Sequence, residues 1–81
     1  MLVKNVEDYG DMIVKWRYDD LATICFVRKN TEAIATGWAV CNRTDNFCKD
    51  TGRKLSLTRA LSGFPRTMRK QFWNEYFNGR R

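Results

Sequence analysis

Arg53, Lys54, Arg59, Arg66, Arg69 and Lys70, with Arg43 ahead of them, are the residues whose chemistry has an evident use. Their guanidinium and ammonium groups donate charge-assisted hydrogen bonds to phosphate and carboxylate oxygens. They belong to a basic half. Residues 43–81 carry ten Lys/Arg against three Asp/Glu, whereas residues 1–42 carry five against six, so the net charge of +6 is concentrated after residue 42. Two of these clusters fall at expected helix starts, Arg53 and Lys54 behind Asp50, and Arg66, Arg69 and Lys70 behind Pro65. The positive end of a helix dipole disfavours cations there by roughly 0.3–1 kcal/mol each, so something has to offset them. Asp50 is one answer for the first helix. A phosphate held by free backbone N–H groups, with Arg53, Lys54 and Arg43 around it, is the other. For any single residue the neighbouring acid is the stronger explanation, but two helix starts with the same excess are harder to dismiss than one. Arg80 and Arg81 are either a solvated end or a further phosphate contact.

Trp16 and Trp73 are the candidate aromatic contacts. Trp16 stands between Lys15 and Arg17 with Tyr18 two places on, and rings beside cations suit nucleobases, which stack at roughly 1–3 kcal/mol per base. Packing of Trp16 and Tyr18 within the core explains the same residues at less cost.

Catalytic chemistry finds little to use. The chain has no His, which removes the commonest general base and zinc ligand and with them Ser-His and Cys-His triads. Cys25, Cys41 and Cys48 can supply three thiolates at most, without the close pairs of a zinc site. Their odd number points to reduced thiols, with Cys41 and Cys48 packed as small apolar groups. Asp45 and Asp50 read as turn and cap residues, and Glu75 stands alone. No enzyme activity, cofactor or metal is expected.

These residues must be positioned by one small domain, residues 1–81, whose 43% apolar and 14% aromatic content supports a modest core. No membrane span or signal-peptide core is evident, so a cytoplasmic location is expected. Met12, Val14, Trp16 and Tyr18 alternate with Ile13, Lys15 and Arg17, which predicts a half-buried strand over 12–18 ending at an Asp19-Asp20 turn. Thr23, Ile24, Phe26 and Val27 predict a strand over 22–29, closed by Lys29-Asn30-Thr31 into a hairpin with a third strand over 33–41. That third strand sets Ile34, Trp38 and Val40 on one face and Ala33, Ala35, Gly37, Ala39 and Cys41 on the other. A face of small residues lets a helix lie across it. Residues 2–7 add a fourth, weakly specified strand.

Beyond Asn42 the period becomes helical. A helix over 51–62 is expected, capped by Asp50 or Thr51 and stopped by Gly63, with Leu55, Thr58 and Leu61 on one side and Leu57 and Ala60 flanking them. Pro65 suits the first position of a second helix over 65–78, whose stripe Met68, Phe72, Trp73, Tyr76 and Phe77 is expected to pack on the sheet.

The stretch 37–61 carries Gly37, Ala39 and Cys41, then Asp45 and Phe47, then Gly52, Arg59 and Ala60. It resembles a pattern of small phage-encoded proteins, Gly-x-Ala-x-Cys followed by Asp-x-Phe, Gly and a helical Arg-Ala. Residues 64–77 are similar to the Pro-x-x-x-Arg-x-x-x-Trp-x-x-Tyr endings of such proteins, here Pro65, Arg69, Trp73 and Tyr76. The resemblance implies a phage origin, and with it a host-cytoplasmic location, more than an activity; many small phage proteins bind and disable host machinery.

The sequence is therefore read as an α+β domain, a small antiparallel β-sheet of three strands with a fourth in 2–7, followed by two amphipathic helices packed on it. Its expected role is a non-enzymatic phage-type accessory protein that inhibits a host defence or nucleic-acid-processing complex through a basic helical surface. The expected partner is a host protein or nucleoprotein complex. The alternatives are a DNA- or RNA-binding regulator, a sequestering protein for a phosphate-rich signalling nucleotide, and a structural subunit.

Overall fold

The computed structural model describes residues 1–41 and 49–78. Within them β1 (Leu2–Val6), β2 (Gly10–Asp19), β3 (Ala22–Lys29) and β4 (Glu32–Val40) precede α1 (Lys49–Ala60) and α2 (Arg66–Asn78). The strands form one antiparallel sheet in the order β1-β2-β3-β4, with the weakly specified fourth strand present as β1. Short polar turns make this meander. Asp8, Asp20 and Asn30 adopt positive φ (70°, 53° and 56°) and Gly10 does so at 77°, conformations that Asp, Asn and Gly accept most readily.

Both helices lie on one face of the sheet. Val3, Val6, Met12, Val14, Cys25 and Val27 pack there against Leu57, Ala60, Leu61, Met68, Phe72 and Tyr76. The expected alternation of β2 holds, with Met12 and Val14 buried and Trp16 half-buried on the helix side. The small-residue face of β4 does receive a helix: a Cβ added to Gly37 would overlap the backbone N of Ala60 and O of Ser56. Gly52, on α1, meets the Thr23 side chain of β3 as closely. Two glycines, one on the sheet and one on the helix, thus let α1 sit unusually near the strands.

Four local expectations are corrected. First, β4 does not alternate cleanly, because the register passes from Val27↔Ala35 to Arg28↔Ala33. Ile34 is the extra residue of that irregularity, and it packs against the core instead of sharing a face with Trp38 and Val40. Ala33, counted with the small inner face, is exposed. Second, α1 starts at Lys49, so Asp50 and Thr51 lie inside its first turn and do not cap it. Third, its buried side is Ser56, Leu57 and Ala60, continued by Leu61, whereas Leu55 and Thr58 face solvent. The tight seat on Gly37 selects this side, since Ser56 and Ala60, one turn apart, are small enough for their backbone to meet a strand. Fourth, Pro65 precedes α2: its carbonyl accepts the Arg69 N–H at 3.0 Å, which makes Pro65 the flanking residue and Arg66 the first helical one.

Candidate polyanion-binding surfaces

The structure divides the predicted basic site into three parts. At the start of α1, Asp50 takes both cations, with Oδ2 3.3 Å from Lys54 Nζ and Oδ1 3.9 Å from Arg53 Nη2. The same carboxylate accepts the Tyr76 hydroxyl at 2.9 Å. Arg53 Nη1 donates to the Tyr18 hydroxyl at 3.4 Å. Burial alone would lower the Arg53 pKa, but hydrogen bonds with Tyr76 and Tyr18 outweigh it and raise the value above its ordinary one. The Arg53 carbonyl accepts Trp16 Nε1–H at 3.3 Å and Ser56 Oγ–H at 3.1 Å. Arg53 and Trp16 are therefore parts of the joint between α1 and the sheet. Trp16 also meets the Tyr76 ring edge-on at 5.9 Å.

Arg59 forms a second part. It stands in the last turn of α1, where the dipole favours a cation, and its Nη1 donates to the Trp38 carbonyl at 2.7 Å on the edge strand β4. Its role differs from that of the other predicted cations, because it ties a helix end to a sheet edge. Arg43 and Cys48 lie outside the described residues, as do Asp45, Phe47, Arg80 and Arg81.

The third part is the exposed ridge of α2. Arg66, Lys70, Trp73 and Phe77 follow one another at spacings of three or four, and Arg69 stands three after Arg66 and four before Trp73, so the five share one broad side. Met68, Phe72 and Tyr76 occupy the buried side, and Gln71 fastens the helix to β1 through Asn5 O at 3.0 Å and the Glu7 N–H at 3.2 Å. No acidic residue stands in the first turn of α2, and among the described residues no ion pair joins Arg66, Arg69 or Lys70 to a carboxylate. At the far end of the ridge Trp73 stacks on Phe77 with centroids 5.8 Å apart, and Lys54 Nζ lies 5.9 Å from the Phe77 ring. Phe77 is 55% exposed. The aromatic stripe expected to pack on the sheet is thus split, Met68, Phe72 and Tyr76 inside and Phe77 outside, with Trp73 half-buried between them.

The sheet face turned away from the helices was missed by sequence reasoning. Lys15 and Arg17 do not stand beside the Trp16 and Tyr18 rings as their adjacency suggested, because successive strand residues face opposite ways. They lie instead with Ile24, Phe26, Arg28 and Trp38 on the open side. Cross-strand pairing sets Lys15 against Phe26 and Phe26 against Thr36, then Arg17 against Ile24 and Ile24 against Trp38. The period-two pattern of 12–18 already held this signal, but it needed the knowledge that both helices choose the other face.

Nucleophilic chemistry is poorly served. Cys25 is fully buried and its thiol is pushed up to about 12 by that burial, so it is protonated at neutral pH. Among the described residues no group of three or more His, Cys, Asp or Glu is assembled, and no helix is long and apolar enough to cross a membrane. A concavity of about 580 Å³ opens between Leu2, Trp16 and Tyr18 of the sheet and Arg53 and Tyr76 of the helices. No family model matches the chain, and no curated protein or solved structure is significantly similar to it.

Proposed function

We propose that the protein acts by binding, and that the α2 ridge engages the phosphates of a nucleic acid within a larger complex. The observation that carries this reading is the trio Arg66, Arg69 and Lys70 at the start of α2, exposed on one side with no acid in the first turn. Glu7 of the sheet side reaches the first turn through the Thr67 hydroxyl at 3.0 Å, but no ion pair within the described residues joins it to these cations, and an anion brought to the same place adds to what the dipole favours. Trp73 and Phe77 continue the ridge with apolar surface, so binding there need not be purely ionic. In the setting that the resemblance to small phage proteins implies, occupying such a complex is how the protein would disable host defence or nucleic-acid processing.

The test is binding of a mixed-sequence duplex oligonucleotide at two salt concentrations by the parent and by Arg66→Gln/Arg69→Gln/Lys70→Gln. The triple variant is expected to bind at least tenfold more weakly, with the slope of log affinity against log salt reduced by about 0.9 for each phosphate it no longer neutralises. Lys29→Gln, outside the ridge, serves as control. Parent-like binding by the folded triple variant rejects the reading. If the parent binds no oligonucleotide but captures an acidic protein through the same three residues, the partner is protein.

A second reading has its own observation. The concavity beside Trp16, Tyr18 and Arg53 is of the size that small-ligand pockets take, about 300–1,000 Å³, and it pairs rings with a guanidinium. Sequestration of a phosphate-bearing nucleotide would use it. Protein purified under native conditions, then denatured, would release a nucleotide detectable by mass spectrometry; a clean supernatant and no binding of added mononucleotides exclude it.

A further inference from the structure

The open face of the sheet is the largest feature that the ridge reading leaves unused. Both helices cover the side of Val14, Cys25 and Val27. The other side presents Lys15 and Arg17 from β2, Ile24, Phe26 and Arg28 from β3, and Trp38 from β4. Trp38 is 60% exposed, which is unusual for an indole with no functional role. Two rows run from a β2 cation to apolar or aromatic groups, Lys15 to Phe26 and Arg17 to Ile24 and Trp38, while Arg28 of β3 stands opposite Ile13 and Asp19 ends the β2 row. Strands lie about 4.8 Å apart and same-face residues along a strand about 6.8 Å apart. Arg28 Nε is buried and finds no hydrogen-bond partner among the described residues, a donor left on this same side of β3.

We propose that this face is a platform for single-stranded nucleic acid, with bases stacked on Trp38 and Phe26 and the backbone running past Lys15 and Arg17. A line of positive charge beside a line of rings is the arrangement by which sequence-tolerant single-strand binders work, since the phosphates are regular and every base has a π-face. A duplex fits it poorly, because its bases are stacked on each other and closed to a flat sheet. A second copy docked face to face would meet Lys15, Arg17 and Arg28 with the same three cations, and unpaired like charges oppose that approach. Charge complementarity selects an anion, and the rings select one that carries flat, unstacked groups. The proposal does not depend on the α2 ridge, which lies on the helix side of the sheet.

The experiment is titration of the whole protein with oligo(dT) and oligo(U) of about ten nucleotides, followed by tryptophan fluorescence and by anisotropy of a labelled strand. Trp38→Ala is expected to weaken binding by roughly tenfold or more, Trp38→Phe to restore most of it, and Trp38→Phe to lose the largest part of the fluorescence quenching. Lys15→Gln/Arg17→Gln is expected to weaken binding and to lower the salt slope by about 1.4, at roughly 0.7 per single-strand phosphate. All of these side chains are exposed, so circular dichroism should report folded variants. Parent-like affinity in Trp38→Ala and in Lys15→Gln/Arg17→Gln overturns the proposal. If affinity then falls only in Arg66→Gln/Arg69→Gln/Lys70→Gln, the α2 ridge is the sole nucleic-acid surface. A parent that sediments as a dimer, becomes monomeric in Trp38→Ala and ignores both oligonucleotides overturns it in favour of self-association.

Discussion

The two helices begin with the same charge and treat it in opposite ways. In α1 the cations Arg53 and Lys54 sit on Asp50, and Arg53 reaches on to Tyr18. In α2 the cations Arg66, Arg69 and Lys70 have no acid in the first turn. The sequence pattern is the same in both, positive residues at the end of the dipole that repels them. What separates the cases is seating. α1 is pressed onto the sheet at Gly37 and Gly52, so its first turn is held among Tyr18, Trp16 and Tyr76 and its charges are used inside the fold. α2 turns its basic side outward while Met68 and Phe72 face the core. The fold does set the Glu7 carboxylate on Thr67 in the first turn of α2, yet pairs it with none of the three cations, so a cluster of like charge suggests function only where the fold leaves it without ion-pair partners.

This contrast is tested most severely at the seat of α1. Gly37→Ala, and more so Gly37→Leu, forces a side chain into the backbone of Ser56 and Ala60, with an expected loss of about 1–3 kcal/mol or more. Gly63, with open space around its Cβ position, should tolerate Ala far better; equal effects in urea melts would mean that α1 is not seated as described. Next in size is Asp50→Asn. It removes the counter-charge for Arg53 and Lys54 and weakens the acceptor of Tyr76, and thermal melts are expected to show a cost of about 1 kcal/mol. The smallest effect discriminates best, because its sign changes between the helices. Arg53→Gln should lower stability by a few tenths of a kcal/mol or more, whereas Arg66→Gln and Arg69→Gln should leave it unchanged or raise it by a few tenths each as the dipole is relieved. Loss of stability on removing Arg66 and Arg69 would show that α2 also has an internal partner for them.

Much of the architecture was legible in the chain. Alternation over 12–18 and the β-branched and aromatic residues over 22–29 placed β2 and β3 within a few residues, the small residues of β4 announced a close helix, and Pro65 and Gly63 marked the break between α1 and α2. These are local signals, fixed by side-chain period and backbone preference. The failures were non-local. Nothing in the sequence near Leu55 says that Ser56 and Ala60 will face the sheet, since that depends on a glycine in another strand. Ile34 left its face because the β3–β4 register slips by one residue. The candidate site suffered likewise: Arg59 was grouped with the phosphate-binding cations, and only the sheet edge beside it reveals the Trp38 carbonyl as its partner.

The order of elements, the charge of the second half and the poverty of catalytic groups were all present in the sequence, because each follows from residue type and short-range spacing. Which charges remain available, and which sheet face stays open, were outcomes of tertiary packing. They depend on the side to which both helices pack, and that choice rests on the fit of Gly37, Gly52, Ser56 and Ala60 across long stretches of chain.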